Sequence, residues 1–455
     1  MTVSTRDRIE HPMRRLARAA LAATAAAALA AGLTACGGGS SKDAKGEVVI
    51  TCGSCQASPT DPSLQFAHDT AQAFNRKYAG KYRIKTIKNQ YAGSSADRLQ
   101  YYQRLALADD LPDIFQINPA ELRSLDKTGK LMNFAPVLGE DPAWKSSFNN
   151  GAFSAITGSG GEVWAIPETR DAIGIYYNKA LFRAAGISAF PQTWAEFEAD
   201  CAKIKASGKT CFAMDGDWVT LLMWANLIGT QPDGAKFLDG GIRGGDYSAD
   251  PAVVKATDTL KRWHTEGFVN SNAFSGEYQN AATAFIRGQA AMIANGPWMV
   301  NSDIKTKNAV KGLYGEIGYD NAPGWSADAR GLIIISAEGS YASGAHDARK
   351  QEAVAAFMKF LTSHGQAVQQ IRVEGAWPAA KFEPTAAEQK NLEPLAAALV
   401  KKATSVPLTF PHPYYNAPAP FSTAWKNLWP AYVKGKMSTH DFLSKLSKDA
   451  QSPTG

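Results

Sequence analysis

Two pairs of carboxylates lie close enough along the chain to do acid–base work: Glu168 with Asp171 in IPETRDAIG, and Asp215 with Asp217 in FAMDGDW. Both pairs sit in polar turns beside apolar runs, where the two acids of a glycoside hydrolase can be placed. The same positions suit solvated loop charges, or acceptors that hold the hydroxyls of a polar ligand without reacting, and that reading is preferred. Nothing else completes a catalytic set. His11, His68, His264, His346, His364, His412 and His440 are scattered, with no zinc-ligand spacing and no His-Glu-x-x-His pattern. The chain has no Gly-x-Ser-x-Gly elbow, no phosphate-binding glycine loop and no dinucleotide fingerprint, so no cofactor or metal is expected.

What the chain does offer is flat aromatic surface next to polar turns. It has 11 tryptophans, and Trp164, Trp218, Trp298, Trp325, Trp377 and Trp425 fall outside amphipathic stripes. An indole stacked on the C–H face of a pyranose gains apolar contact, while neighbouring amides and carboxylates bond its hydroxyls. Each of these tryptophans is either core or ligand wall. Trp298 follows Gly296-Pro297, which forces a turn immediately before it.

These residues must be positioned by alternating elements. EVVITC (47–52) reads as a buried strand, 64–78 as an amphipathic helix with Phe66, Ala67, Ala71 and Phe74 on one face, and YRIKTIKN as a strand. A helix opened near Asp97, the strand LPDIFQIN and a short helix ended by glycine follow. That grammar belongs to a parallel α/β sheet. A second unit repeats it: two strand-like runs around Pro-Glu-Thr-Arg-Asp, a helix opened by Thr193 with Glu196 at the capping-box position, and the apolar helix WVTLLMWANLIG. The strand AAMIAN leads to Trp298, GLIIIS is a buried strand, and the tail after Pro378 reads as helical and polar, broken by PHPYYNAPAPF.

The first residues are a different kind of segment. Arg14, Arg15 and Arg18 precede the apolar run LAATAAAALAAGL, too short to span a bilayer, and Leu-Thr-Ala-Cys ends it at Cys36. This is a secretory signal whose ending resembles a bacterial lipobox, implying a lipidated Cys36 and palmitate. The start is Met1 or Met13. GGGSSKDAKGE is a flexible tether. The roughly 420 residues that follow exceed one ordinary core, so two domains are expected. The five arginines, one aspartate and one glutamate before Cys36 carry +3 of the formal +6, which leaves a near-neutral body and no nucleic-acid surface.

Beyond Cys36 four cysteines remain, for an oxidising compartment. Cys52 with Cys55 and Cys201 with Cys211 is the natural pairing; the two other connectivities stay open, as does a redox role for the Cys-x-x-Cys spacing.

Taken in order, LPDIF, EVWAIPETRDAIGIYYNKALFRAAGI with PQTWAEFEA, AFIRGQAAMIANGPWMV, and GLIIISAEGS with EAVAAFMKFLTS and GAWPAA resemble the extracellular solute-binding proteins of sugar ABC importers, the family of maltose-binding protein. The resemblance covers nearly the whole mature chain. It implies an α/β fold of two lobes, type II-like, joined by hinge crossings with the ligand cleft between them. The implied divisions are a leader at 1–35, a tether at 36–46, a first lobe of 47–167 and 331–372, and a second lobe of 168–330 and 373–455. It also implies a non-enzymatic, monomeric receptor, held at the outer face of the membrane only by its lipid. Such a receptor would bind a di- or oligosaccharide and deliver it to permease subunits.

By the same resemblance Asp171 contacts sugar hydroxyls, Gln116, Asn118 and Gln56 line the first-lobe edge, and Trp218, Trp298 and Trp425 stack on the sugar. Glu168, Asp217 and Trp325 are further candidates. The family usually lacks a first-loop disulfide, and PHPYYNAPAPF, with Tyr414 and Tyr415, departs from its pattern. Two alternatives stand beside this reading: a secreted glycosidase using Glu168, Asp171, Asp215 or Asp217, and the same fold binding polyamine, iron or glycerol phosphate. Iron is disfavoured because Tyr176 and Tyr177 alternate faces of a strand.

Overall fold

Apolar β-branched runs set the strands. The computed structural model describes residues 46–58, 61–88, 95–274, 276–305, 314–337, 339–392, 394–405, 408–418 and 420–451. The expected leader, the lipidated Cys36 and the tether up to residue 45 lie outside them.

The eleven strands among the described residues are β1 (Val48–Cys52), β2 (Tyr82–Thr86), β3 (Phe115–Ile117), β4 (Ala165–Pro167), β5 (Arg170–Asn178), β6 (Thr210–Phe212), β7 (Ala290–Asn295), β8 (Ile317–Asp320), β9 (Gly331–Ser336), β10 (Ser340–Ala342) and β11 (Leu408–Phe410). In the first lobe β1 and β2 run parallel, Val48 opposite Tyr82, and Cys52 bridges to Ile114 just before β3. β10 lies antiparallel between β3 and β4. The second lobe has one sheet in the order β11-β9-β5-β7-β6, with β8 also paired to β5. Helices pack against strands in both lobes, and the apolar cores of the lobes are separate.

Local chemistry explains where helices begin. The Asp61 carboxylate accepts from the Ser63 and Leu64 N–H groups ahead of the helix Pro62–Lys77, which buries Phe66, Ala67, Ala71 and Phe74 as the spacing predicts. Thr193 and Glu196 form the expected capping box on the helix Trp194–Ala206. The helix Trp218–Gly229 is buried from Val219 to its end, so its uniformly apolar sequence places it inside the second lobe. Cys52 is bonded to Cys55 and Cys201 to Cys211, the natural pairing.

Three segments join the lobes. The chain leaves the first sheet after Pro167 and enters the second at Arg170; it returns between Ser336 and Ser340. The third passage comes after 376–381, which still runs along the first lobe: Ala380 bridges Phe148 and Lys381 N–H donates to the Ser147 carbonyl at 2.7 Å. Two expectations need correction here. β9 was placed in the first lobe, yet it pairs with β5 and belongs to the second; a buried strand's composition does not say which sheet it joins. The stretch from 373 to 381 was placed in the second lobe and instead pairs with the first. The polar tail is also a misreading, since the helix Phe421–Val433 puts Trp425, Leu428, Trp429 and Tyr432 into the second core.

Candidate functional site

β6 and β7 are parallel neighbours, Thr210 opposite Ala290 and Phe212 opposite Met292, so the turns beyond their carboxyl ends emerge side by side. One turn carries Asp215 to Trp218, the other Gly296 to Trp298. The two indoles meet with ring centroids 5.6 Å apart, tilted 58°. Tyr278 stands edge-on to Trp218 at 6.0 Å, and His412 lies nearly flat on it at 5.4 Å and 25°. Both tryptophans are half-buried. Gly296 is what lets the Trp298 ring fold back: a Cβ there would sit 2.2 Å from Cζ3 and 2.3 Å from Cη2. Burial pushes the fully enclosed His412 down to about 3, so its ring is neutral.

The first lobe brings a polar edge to the crossings. Ser54 Oγ, inside the Cys52–Cys55 loop, accepts the Gln116 N–H at 2.7 Å. The Gln116 side-chain amide donates to Glu168 Oε2 at 3.0 Å and to Ser63 Oγ at 3.2 Å. Asp171 Oδ1 accepts the Trp377 N–H at 3.0 Å, tying the first crossing to the third segment. Behind them lie Tyr341, Gln370 and Glu374, all buried. Burial raises Glu168 to about 7; burial first, and then Glu168 and Asp171, push Glu374 up as well. Glu168 and Gln370 line a cavity of about 10 Å³, room for one water.

The candidate residues therefore divide. Trp218, Trp298 and Asp217 come together on the second lobe; Gln56, Gln116, Glu168 and Asp171 gather at the first-lobe edge and crossing. Asp217 is paired with Lys426 at 2.7 Å. The Gln56 amide turns back to the Gly53 carbonyl at 3.3 Å. Three candidates fall elsewhere. Trp425 is fully buried, stacked on Trp429 at 4.7 Å, because its helix turns that face to the core. Asn118 is the cap of the helix Pro119–Leu125, its side-chain Oδ1 accepting the Glu121 N–H at 2.9 Å. Trp325 donates to the Leu227 carbonyl at 2.9 Å, at the far end of the helix that begins with Trp218, some ~13 Å away along its axis.

Three groups went unassigned from sequence: Tyr278, His412 and Glu374. His412 carried a signal, its place in PHPYYNAPAPF; Tyr278 and Glu374 had none beyond residue type, and Trp377 stood out only as a tryptophan outside the amphipathic stripes.

The carboxylates of the glycosidase reading are engaged in structure. Asp215 Oδ1 takes the N–H groups of Asp217 and Val219 at 2.9 Å each, and burial still raises it to about 6. Tyr176 donates to the Gly296 carbonyl at 2.9 Å while the Tyr177 ring packs on Phe182 and Phe190, so the two hydroxyls face apart. No group of three metal-ligating residues exists among the described residues. The arrangement offers ring faces and hydrogen-bonding partners without a reacting pair.

Residues 60–368 match the family model of the bacterial extracellular solute-binding proteins. Among curated relatives, the diacetylchitobiose binding protein DasA of Streptomyces coelicolor is 25% identical over 76% of this chain and 78% of its own. The multiple sugar-binding protein of Streptococcus mutans is 26% identical over 42% of this chain and 46% of its own. Among solved structures, a chitin oligosaccharide binding protein superposes with a TM-score of 0.73 at 21% identity, over 89% of this chain and 98% of that one. The maltose-bound T. maritima MalE3 gives 0.67 at 19% identity, over 89% and 99%.

Proposed function

The chain belongs to the bacterial extracellular solute-binding proteins, a family of binders rather than enzymes, and from that premise we propose that it is a receptor for a di- or oligosaccharide. In this reading Trp218 and Trp298 stack on sugar rings, while Gln116, Gln56 and Asp171 bond hydroxyls as the lobes close. The bound sugar passes to an ABC permease, and a lipid on Cys36 holds the monomeric body at the outer face of the membrane.

The observation that carries the reading is the Trp218–Trp298 pair at the carboxyl ends of two parallel strands, backed by His412 and Tyr278. Half-buried indoles on one lobe, with amides on the other, suit a polar, uncharged ring. The names of the relatives, which mention chitin-derived and other sugars, support the same class.

A thermal-shift panel tests it. Chito-, malto-, xylo- and raffinose-type oligosaccharides are screened beside spermidine and glycerol phosphate. A sugar at about 100 times its Kd should stabilise the protein by about 2.7 kcal/mol and remain uncleaved. A response to spermidine or glycerol phosphate alone would overturn the sugar class, and cleavage products lost in Asp171→Asn would overturn the receptor.

A further inference from the structure

The segment 411–417, within the PHPYYNAPAPF stretch that departs from the family pattern, is mounted on the second lobe by several ties. His412 Nδ1 accepts the Tyr414 N–H at 3.0 Å, which leaves Nε2–H facing the Trp218 carbonyl at 3.4 Å. The Asn416 amide donates to the carbonyls of Leu238 at 2.5 Å and Asp239 at 2.7 Å. Arg243 returns to the Asn416 carbonyl at 3.3 Å and to its side chain.

From that mount the short helix Pro413–Asn416 reaches the first-lobe helix Pro119–Leu125. There Arg123 Nη1 donates to the Tyr415 carbonyl at 3.2 Å, a bond between the lobes in addition to the three crossings. The first-lobe side is equally fixed. Asn118 and Glu121 cap that helix reciprocally, and Arg98 grips the Glu121 carboxylate through Nε and Nη2.

Arg123 is an unusual partner for such a contact. Burial lowers its pKa and the nearby Arg243 lowers it further, with only Asp126 acting in the other direction. Its cation is thus drawn out of water toward a carbonyl of the opposite lobe. Parting of the lobes would return guanidinium and carbonyl to water, so the bond would be made only where the two lobes meet.

We propose that Arg123 and the 411–417 segment form a clasp across the mouth of the cleft, one that favours closure before ligand arrives and slows its departure. Arg123 acts as a positioning residue. The part of the proposal that concerns departure rests on the binding function above; the closure part does not.

Two measurements on the mature protein decide it: small-angle scattering without ligand, and stopped-flow tryptophan fluorescence for release of a sugar identified in the panel. Arg123→Ala should shift the ligand-free profile toward a larger radius of gyration and raise koff about 10-fold, with kon little changed. Arg123→Lys should recover part of both effects. Asn416→Ala, which loosens the mount, should act in the same direction and decides the matter if Arg123→Ala fails to fold. A folded Arg123→Ala with unchanged scattering and unchanged koff sinks the clasp and leaves the receptor intact. A change in scattering with no sugar bound by any protein leaves the clasp standing and removes the carbohydrate reading.

Discussion

Gly296→Ala separates a ligand wall from a core aromatic more cleanly than deleting Trp298. The backbone at Gly296 lies outside the left-handed region, so alanine is conformationally acceptable and the effect is purely steric. Its Cβ would stand 2.2, 2.3 and 2.6 Å from three atoms of the Trp298 ring. Restoring ordinary contact near ~3.5 Å moves the indole by more than an ångström. Overpacking of this kind costs about 1–3 kcal/mol of stability. If the displaced ring no longer meets a sugar face, the loss of about 0.5–1.5 kcal/mol in stacking weakens binding about 2-fold to 12-fold. Isothermal titration with the sugar identified by thermal shift measures this, and circular dichroism confirms folding. The decisive comparison is the Trp298→Ala background, where the added methyl meets no ring and Gly296→Ala should leave the Kd unchanged. Equal weakening in both backgrounds, or a folded single variant with wild-type Kd, would refute the reasoning.

Three further outcomes are expected. Glu168 and Glu374 have folded pKa values above the ordinary carboxylate range, so the folded state holds a proton that the unfolded state releases. Their contribution to stability should therefore be fully present below the ordinary glutamate range and be lost, by up to about 1.4 kcal/mol per pH unit for each group, as pH rises from there through the folded values; urea titrations of Glu374→Gln should show a shallower slope, and an unchanged slope would be contrary. Replacing Cys201 and Cys211 with serine should cost about 2–4 kcal/mol without altering affinity, whereas replacing Cys52 and Cys55 should also weaken binding, because their loop holds Ser54 against Gln116; titration calorimetry compares the two. Trp425→Ala should lose about 3–5 kcal/mol in chemical denaturation while the folded fraction keeps its Kd, and a selective affinity loss would return Trp425 to the site.

The strands and helices were largely legible because their signals are local. Thr193 three residues before Glu196 and the apolar period of 64–78 each carry their own physical cause. Sheet membership was not. Whether β9 pairs with β4 or β5 depends on closure of long loops and on the shape of two cores, and GLIIIS is equally apolar in either place. The same limit misplaced 376–381, whose partners are Phe148 and Thr169, more than two hundred positions away in sequence.

Site legibility followed a similar rule with a sharper consequence. Trp218 and Trp298 could be singled out because each sits next to a strand-ending turn, and parallel pairing of β6 with β7 makes those turns neighbours. Trp425 and Trp325 share the residue type but lack that position; one faces the core from a helix, and the other closes a helix end. A tryptophan's address in the sheet, rather than its presence, decides whether it can meet a ligand. His412 makes the converse point. It lies 194 positions from Trp218, yet its neutral ring is what stiffens that indole from behind. The segment that departs from the family pattern therefore supports the aromatic floor at one end and reaches the opposite lobe at the other. Altering it should change both how firmly a ring is held and how long the lobes stay closed, two effects that the Kd and koff measurements read separately.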